Sequence, residues 1–362
     1  MSEPNVDVVI AAHNPERRID RSANSVLRST RTDLRLSIVC HNADLDAVRR
    51  AAGSAASDPR VRFLELHDGI PSPSGPFNHG LDHATAEYTS IVGSDDELQP
   101  GAIDAWATIA ERDRADMVIA RLEYASGRIF PTPPVRGHRA ARLDATRDRL
   151  AYRSAPLGLV RRTRFPALRL TPGMRNGGDL AYVTRLWFSE AAISFDRWGP
   201  AYVIHDDADD RVTLRRKSIA EELTWLPFLL EDAFTLGLAS EARRSLAAKL
   251  IRRHLFGAID NRPTTAAWIG DDLPELAVAL GRVIDLAPNV RQVLSIADLA
   301  LIDAIRGHAG VDEILALSAA RKVFPRPSTA TPGSYRHFLH PEAPMPLALA
   351  FRRLTRDTAR SS

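Results

Sequence analysis

The stretch YTSIVGSDDE, residues 88–97, decides the fold class because a short apolar strand pattern leads directly into carboxylates. Residues 88–92 have the β-branched, apolar composition of a strand that is buried on both faces, as in a parallel sheet. The same arrangement occurs twice earlier in the chain: 6–12 leads into His13 and Asn14, and 36–40 leads into His41 and Asn42. The sequence therefore predicts parallel strands that each end in polar side chains.

Helix signals separate these strands, as expected for βαβ units. Asn14 and Pro15 are typical of a helix N-cap and first turn, so we expect a helix to start there. Further helices are predicted at 45–56, 78–86, 102–112 and 180–191, and further strands at 61–66, 117–122 and 201–205. Because ligands bind at the carboxyl ends of the strands in such sheets, the three polar clusters should face one site.

Composition bounds the protein class. The chain has 362 residues, 44% of them hydrophobic and 26% charged, which is ordinary globular usage and room for two domains. Its net charge is +3 and residues 1–215 are neutral, which argues against a nucleic-acid partner. The single cysteine, Cys40, excludes an internal disulfide and fits a reducing compartment. With no signal-peptide pattern and no long apolar run, we expect a cytoplasmic protein.

The pattern changes from mixed to helical after Ser218, which divides the chain into an α/β domain at 1–215, a helical domain at 216–325 and a basic C-terminal tail at 326–362. Residues 321–362 carry eight basic and two acidic side chains, a local charge of +6. Such a segment suits anionic lipid or a polyanionic acceptor, and the alternative is a solvated end. Apolar side chains of the helical part could also form a homo-oligomer surface.

Asp95 and Asp96 suit a hard divalent cation that keeps open positions for phosphates. The alternative interpretation is a helix N-cap, because acidic residues ahead of the helix at 102–112 would favour its dipole.

Four segments in order resemble the motifs of family 2 glycosyltransferases: VDVVIAAHNPERRIDRSANSVL (6–27), FNHGLDHATAEYTSIVGSDDEL (77–98), NGGDLAYVTRLW (176–187) and AYVIHDDADDRVT (201–213). Together they span about residues 5–213. The resemblance implies a GT-A fold, with a mostly parallel Rossmann-like sheet, followed here by the all-α part. It also implies an inverting transferase of the hexosyltransferase type that uses a nucleotide-sugar donor, with UDP-sugars favoured.

The resemblance also implies roles for individual residues. Asp179 would be the general base, whereas without the resemblance an aspartate directly before the helical LAYVTRL would be interpreted as a helix N-cap. Mn²⁺ or Mg²⁺ would be held chiefly by Asp95, with Asp96 and His205 as partner ligands, although a strand-end histidine is often a structural hydrogen-bonding group. The donor would contact these residues: Ala11, Ala12, His13, Asn14, His41, Asn42, Asn78, Ser94 and Asp95. The acceptor would be a saccharide, a polyanionic cell-envelope polymer or a lipid-linked intermediate, reached through peripheral membrane contact of the tail at the inner face of the membrane.

Two departures from the family pattern keep a second hypothesis open. His41 stands where the family usually has an aspartate that accepts from the uracil imide, and Gly93 replaces the first aspartate of Asp-x-Asp. A non-catalytic scaffold that binds a nucleotide-sugar or a polymer is therefore the alternative. A nucleotidyltransferase is less well supported, since AAHNPERR lacks the glycine-rich loop that such enzymes carry after the first strand.

Overall fold

A computed structural model of the chain describes residues 4–29, 31–205 and 217–358. The strands are β1 Val6–Ala12, β2 Leu34–His41, β3 Val61–Leu66, β4 Tyr88–Gly93, β5 Glu97–Leu98, β6 Met117–Ile119, β7 Leu122–Tyr124, β8 Ile129–Phe130, β9 Gly158–Arg161, β10 Ile193–Phe195 and β11 Tyr202–Ile204. The first part contains helices α1 Ile19–Leu27, α2 Leu45–Ala51, α3 Ser74–Asp82, α4 Ala102–Asp113 and α5 Leu180–Trp187. This part is therefore mixed α/β, as the sequence predicts.

A seven-stranded sheet in the order β10-β6-β9-β4-β1-β2-β3 forms the centre of the first part. Strands β3, β2, β1 and β4 pair in parallel, and β9 runs antiparallel to its neighbours β4 and β6. A second sheet has the order β5-β11-β7-β8. The single strand predicted at 117–122 is wrong, because Met117–Ile119 and Leu122–Tyr124 pair in different sheets.

Strand β1 is buried on both faces, which explains its unbroken apolar sequence. Val8 and Ile10 face one apolar core and Val9 faces the other. Asp7 is also fully buried, and its carboxylate is satisfied by the guanidinium of Arg35 at 2.7 and 2.8 Å and by two backbone N–H groups of residues 85 and 86. This carboxylate ties the loop before β4 to the start of β1, where the two strands begin side by side.

The helix predicted to begin at Asn14 begins instead at Ile19. The side-chain Oδ1 of Asn14 accepts from the backbone N–H of Glu16 at 2.9 Å, and its carbonyl accepts from the N–H of Arg17 at 3.2 Å. These bonds close a turn in place of the first helical turn, since asparagine favours both arrangements. The chain after β1 is therefore a loop at 13–18.

Helix α3 lies unusually close to β1 because Gly80 faces Val9. A Cβ atom at position 80 would lie 2.3 Å from Val9 Cγ1, so only glycine fits there. Helix α3 starts at Ser74, four residues before the predicted start at 78, and so follows directly on the proline-rich loop after β3. The close contact fixes the beginning of α3 beside the carboxyl ends of β1 and β2.

The chain from Ser218 onward is helical, as predicted. It contains α6 Ile219–Glu222, α7 Leu226–Leu230, α8 Ala233–Gly237, α9 Ser240–Lys249, a π-helical turn Leu250–Leu255, α10 Phe256–Asp260, α11 Asp272–Leu286, α12 Ile296–Arg306, α13 Val311–Arg321, α14 Pro327–Ala330 and α15 Pro344–Thr358. These helices enclose their own apolar core, and Leu180 at the start of α5 belongs to it. In the described ranges, no helix is long and apolar enough to cross a membrane.

The proposed domain boundary at 215 lies outside the described residues, and so do residues 359–362 of the predicted basic tail. The rest of that segment packs against the protein. In α15, Leu347, Ala350 and Leu354 are buried, and Leu354 joins the core beside Trp187. The opposite face of α15 exposes Leu349, Arg352, Arg353 and Arg356, which helical spacing places in one strip. The positive charge therefore lies on an ordered surface.

Candidate functional site

A cavity of about 420 Å³ lies at the carboxyl ends of β1, β2 and β4. In the sheet β1 lies between β2 and β4, so the last residues of the outer two strands are about 10 Å apart. The cavity is lined by Ala11, His13, Arg17, His41, Asn42, Pro71, Ser72, Pro73, Pro76, Phe77, Gly93, Ser94 and Asp95. The three polar clusters predicted to converge do so.

Arg17, which the sequence analysis did not select, provides a cation to this cavity. Its Nη1 atom lies 3.3 Å from Ser94 Oγ and 3.6 Å from Asp95 Oδ1. A guanidinium is a good partner for phosphate oxygens. The 13–18 loop places Arg17 beside the end of β4. The sequence predicts a helix from Asn14 onward, and in such a helix this position of Arg17 would not be expected.

The acidic segment after β4 is held by Tyr202 of β11. The Tyr202 hydroxyl donates to Asp96 Oδ2 at 2.6 Å and accepts from the backbone N–H of Gly93 at 2.9 Å. The Asp96 carboxylate consequently lies over Gly93, where a Cβ atom would be 2.6 Å from Asp96 Oδ2. A side chain at position 93 would therefore require the Asp96 carboxylate to move away from Tyr202.

Asp95 is the carboxylate of this segment that lines the cavity. The guanidinium of Arg21 donates to its backbone carbonyl, which fixes the turn. Asp96 points elsewhere: besides Tyr202, its Oδ1 accepts from the backbone N–H of His205 at 3.2 Å. The N-cap interpretation of the doublet has little support, because the N-cap position of α4 is Gly101 and no side chain caps it.

His205 follows β11, and its Nε2 lies 3.3 Å from Glu97 Oε2. Neither His205 nor Asp96 lines the cavity. In the part of the chain that the structure describes, no three His, Cys, Asp or Glu side chains form a group suited to a metal ion. What the residues present do fit is a cation held by Asp95 and completed by oxygens of a bound diphosphate and water, a common arrangement for Mg²⁺.

At the end of β2, His41 and Asn42 form a hydrogen-bonded group with Asp68, a residue that the sequence analysis missed. His41 Nε2 lies 2.9 Å from Asp68 Oδ1, and Asn42 Nδ2 donates to the same oxygen at 3.2 Å. The backbone N–H of Ile70 also donates to it at 2.9 Å. These hydrogen bonds, with the Ile70 N–H first and His41 second, lower the pKa of Asp68 to about 2.

The proline-rich loop after β3 forms the other wall of the cavity. Ser72 Oγ donates to the carbonyl of Met174 at 2.6 Å, which connects this wall to the loop before α5. Asn78 does not line the cavity. Its amide makes two bonds of 2.9 Å with the backbone N–H and carbonyl of Leu170, so it joins α3 to the same loop.

Asp179 occupies the N-cap position of α5, but its side chain makes no capping hydrogen bond. The preceding Gly178 packs against the start of α3, since a Cβ atom there would lie 2.3 Å from Ser74 Oγ. Burial raises the pKa of Asp179 to about 6, and the positive charge of Lys249 in α9 opposes that rise. A carboxylate with this pKa suits proton acceptance near neutral pH.

Of the residues predicted to bind the donor, Ala11, His13, His41, Asn42, Ser94 and Asp95 line the cavity, and Ala12, Asn14 and Asn78 do not. Ala12 is fully buried in the core. The loop residues that line the cavity had no recognisable signal in the sequence, because proline and serine there predict only irregular structure.

Known proteins that are similar to this chain include glycosyltransferases. A family model described as glycosyl transferase family 2 matches residues 7–167. A poly(ribitol-phosphate) β-N-acetylglucosaminyltransferase, TarP of Staphylococcus aureus, is 25% identical over 44% of this chain and 49% of its own length. A GalNAc(5)-diNAcBac-PP-undecaprenol β-1,3-glucosyltransferase of Campylobacter jejuni is 24% identical over 28% of this chain and 32% of its own. The chain thus spans a third to a half of these curated relatives.

Among solved structures, S. aureus TarS (residues 1–349) in complex with UDP-GlcNAc superposes with a TM-score of 0.72. The alignment covers 87% of this chain and 91% of the other at 16% identity. Such a likeness shows the fold. The predicted fold class, a GT-A domain with a mostly parallel sheet followed by a helical part, is confirmed.

Proposed function

Because residues 7–167 match the family model described as glycosyl transferase family 2, we propose that this protein transfers a sugar from a nucleotide-diphosphate donor, a UDP-sugar in preference, to an acceptor hydroxyl. The acceptor would be a saccharide, a cell-envelope polymer or a lipid-linked intermediate. The observation that carries the proposal is the cavity that brings His13, His41 and Asp95 together at the carboxyl ends of three neighbouring strands.

The donor would lie along these strand ends. The base would occupy the side of His13, His41 and Asn42, and the diphosphate the side of Ser94 and Asp95. The guanidinium of Arg17, 3.6 Å from Asp95 Oδ1, would neutralise part of the negative charge on the leaving group. In this arrangement the sugar points toward the loop before α5, which carries Asp179.

The reaction would be a single inverting displacement. The acceptor oxygen bonds to the anomeric carbon while the bond from that carbon to the diphosphate oxygen breaks. The nucleoside diphosphate leaves with the electron pair, and the acceptor proton passes to the carboxylate of Asp179. Because the pKa of Asp179 is about 6, its ionised fraction rises through that pH, so transfer should increase from pH 5 to pH 7.

We propose Asp95 as the principal protein ligand of a divalent cation, Mn²⁺ or Mg²⁺. Such a cation, when bound, would stabilise the charge of the departing diphosphate. Asp96 and His205 remain proposed partner ligands. Asp96 binds Tyr202 and the backbone of His205. If Asp96→Asn and His205→Ala lose less affinity for Mn²⁺ than Asp95→Asn does, Asp96 and His205 have a positioning role. The measurement is Mn²⁺ binding in the presence of UDP.

The names of the relatives support an envelope acceptor, since TarP is named for poly(ribitol-phosphate) and the Campylobacter protein for an undecaprenol-linked glycan. The exposed arginine strip of α15 suits an acceptor or a membrane surface with negative charge. We propose the cytoplasm, at the inner face of the membrane, as the place of action.

The test is a donor screen with UDP-, GDP- and dTDP-sugars that measures release of the nucleoside diphosphate with and without Mn²⁺, together with calorimetry of UDP binding. The variant Asp179→Asn should bind UDP normally and lose transfer by about 10³-fold or more. Unchanged turnover in this variant would refute the assignment of the base. UDP binding without any turnover across donors and acceptors would favour the scaffold alternative.

A further inference from the structure

We propose that Asp68 determines which nucleobases the cavity accepts, by fixing His41 in the tautomer whose Nδ1 is a hydrogen-bond acceptor. This inference rests on the proposed function, since it concerns the base of the nucleotide donor. It assigns a specificity role to a residue that does not line the cavity and acts through one that does.

The tautomer follows from the contacts of His41 Nε2. This nitrogen lies 2.9 Å from Asp68 Oδ1. An ionised carboxylate can only accept, so a short contact of this kind requires the proton to be on Nε2. The low pKa of Asp68, about 2, keeps the carboxylate ionised at every working pH.

Asn42 also lies close to His41 Nε2, so its amide could compete with Asp68 as the hydrogen-bonding partner of that nitrogen. Its Nδ2 lies 3.0 Å from His41 Nε2 and 3.2 Å from Asp68 Oδ1. The orientation of the amide is fixed, because Asn42 Oδ1 accepts from the backbone N–H of Gly69 at 3.0 Å. Nδ2 is therefore a donor, and while Asp68 is present it donates to the same carboxylate oxygen as His41.

The second ring nitrogen is the one left for a ligand. His41 is 4% exposed and lines the cavity. Throughout residues 4–29, 31–205 and 217–358, no hydrogen bond to His41 Nδ1 is present, and this atom is not among the buried polar atoms that lack a partner. Nδ1 therefore retains access to the cavity and offers a lone pair there.

A lone pair at this position distinguishes bases by the protonation of their ring nitrogens. Uracil and thymine present N3–H, and guanine presents N1–H, so each can donate to Nδ1. Cytosine presents an unprotonated N3, which would place two lone pairs against each other. UDP and CDP are nearly equal in size, so the ratio of their affinities reports the tautomer. A nucleotide whose base places a lone pair against Nδ1 should bind about 10- to 100-fold more weakly.

The decisive variant is Asp68→Ala. Without the carboxylate, Asn42 Nδ2 is the remaining polar neighbour of His41 Nε2 and donates to it, which moves the ring proton to Nδ1. Calorimetry at pH 8 should show a UDP preference of about 10- to 100-fold in the wild type. In Asp68→Ala that preference should fall below about threefold or reverse in favour of CDP.

Two controls separate the tautomer from general damage. Asp68→Asn keeps an acceptor oxygen in the place of Oδ1 and should retain the UDP preference. Glu65→Ala removes the carboxylate of a second histidine pair, Glu65 and His67, which lies 3.4 Å apart, is exposed and is outside the cavity. This variant should behave as the wild type. Removing both polar neighbours, in Asp68→Ala with Asn42→Ala, should leave little preference of either sign.

An unchanged UDP-to-CDP ratio in folded Asp68→Ala would overturn the proposal. Nitrogen-15 spectra of histidine-labelled wild-type protein, with His41 assigned from its loss in His41→Gln, read the tautomer without any nucleotide. Protonated Nδ1 and bare Nε2 would refute the inference even if Asp68→Ala does not fold. If the wild type binds no nucleoside diphosphate, the proposed function fails, whereas binding with a ratio that Asp68 does not control overturns this inference alone.

Discussion

Replacement of Lys249 by methionine should move the acid limb of the pH–rate profile to higher pH. Lys249 is 1% exposed at the end of α9, and its charge is the main influence that lowers the pKa of Asp179 against the effect of burial. The connection between the two parts is close, because Gly177 packs on Trp225, which in turn contacts His254 one π-helical turn after Lys249. Methionine has a similar volume and no charge, so the change isolates the electrostatic effect.

The size of the shift follows from the geometry. No ion pair shorter than 4.0 Å joins Lys249 to Asp179 in the described residues, so the coupling belongs at the low end of the range for opposite charges, about one pKa unit. With a pKa of about 6 in the wild type, half of Asp179 is ionised at pH 6. A pKa higher by one unit leaves about a tenth ionised. Transfer at pH 6 should fall about fivefold, and transfer at pH 8 should change little.

The assay is kcat/KM from pH 5 to pH 9 for the wild type, Lys249→Met and Lys322→Met. Lys322 is the matched control, because its Nζ forms an exposed ion pair with Asp260 in the helical part. Burial lowers the pKa of Lys249 to about 7, so the folded state discourages its protonation. Stability of the wild type should therefore rise as the pH rises from 7 to about 10, and this rise should be smaller in Lys249→Met. An acid limb that coincides in all three proteins would refute the proposed coupling.

Two further predictions concern residues around the cavity. Gly93→Asp should lower the melting temperature by several degrees and fail to improve Mn²⁺ binding, because its Cβ would lie 2.6 Å from Asp96 Oδ2. The control Gly257→Ala should leave the melting temperature unchanged, because there is open space around position 257. An unchanged melting temperature in Gly93→Asp would contradict the steric explanation. Cys40 should not react with a thiol reagent at pH 8 until the protein is unfolded, because the thiol is buried and burial raises its pKa to about 11. Rapid labelling of the native protein would instead show that the end of β2 is open to solvent.

The sequence allowed the fold to be predicted because β1 to β4 combine apolar strand patterns with short connections, and such patterns depend on local chemistry. It also placed His13, His41 and Asp95 at one site through topology alone. Prediction failed where the answer depended on distant contacts. The 117–122 segment has a uniform strand composition, but its two halves pair in different sheets, and nothing local encodes that division.

Asp68 shows the same limit within the candidate site. It follows β3 in a loop of prolines and glycines, and its sequence context is that of an ordinary turn aspartate. Its role depends on the pairing of β2 with β3, which brings it to His41 across 27 positions of sequence. Arg17 was missed for a related reason, since the turn that carries it resembles the first turn of a helix.

The two departures from the family pattern have a common physical explanation. At position 93, where a carboxylate is absent, the carboxylate of Asp96 lies in the space that a side chain would occupy. At position 41, where an aspartate is replaced by histidine, Asp68 supplies a carboxylate to the imidazole. Each carboxylate is held by hydrogen bonds, Asp96 by Tyr202 and Asp68 by His41 and the Ile70 backbone. Near each departure a second residue supplies a carboxylate: Asp96 lies over Gly93, and Asp68 contacts His41. The two departures are therefore compatible with a nucleotide-binding site, and turnover in the donor screen separates an enzyme from a binding scaffold.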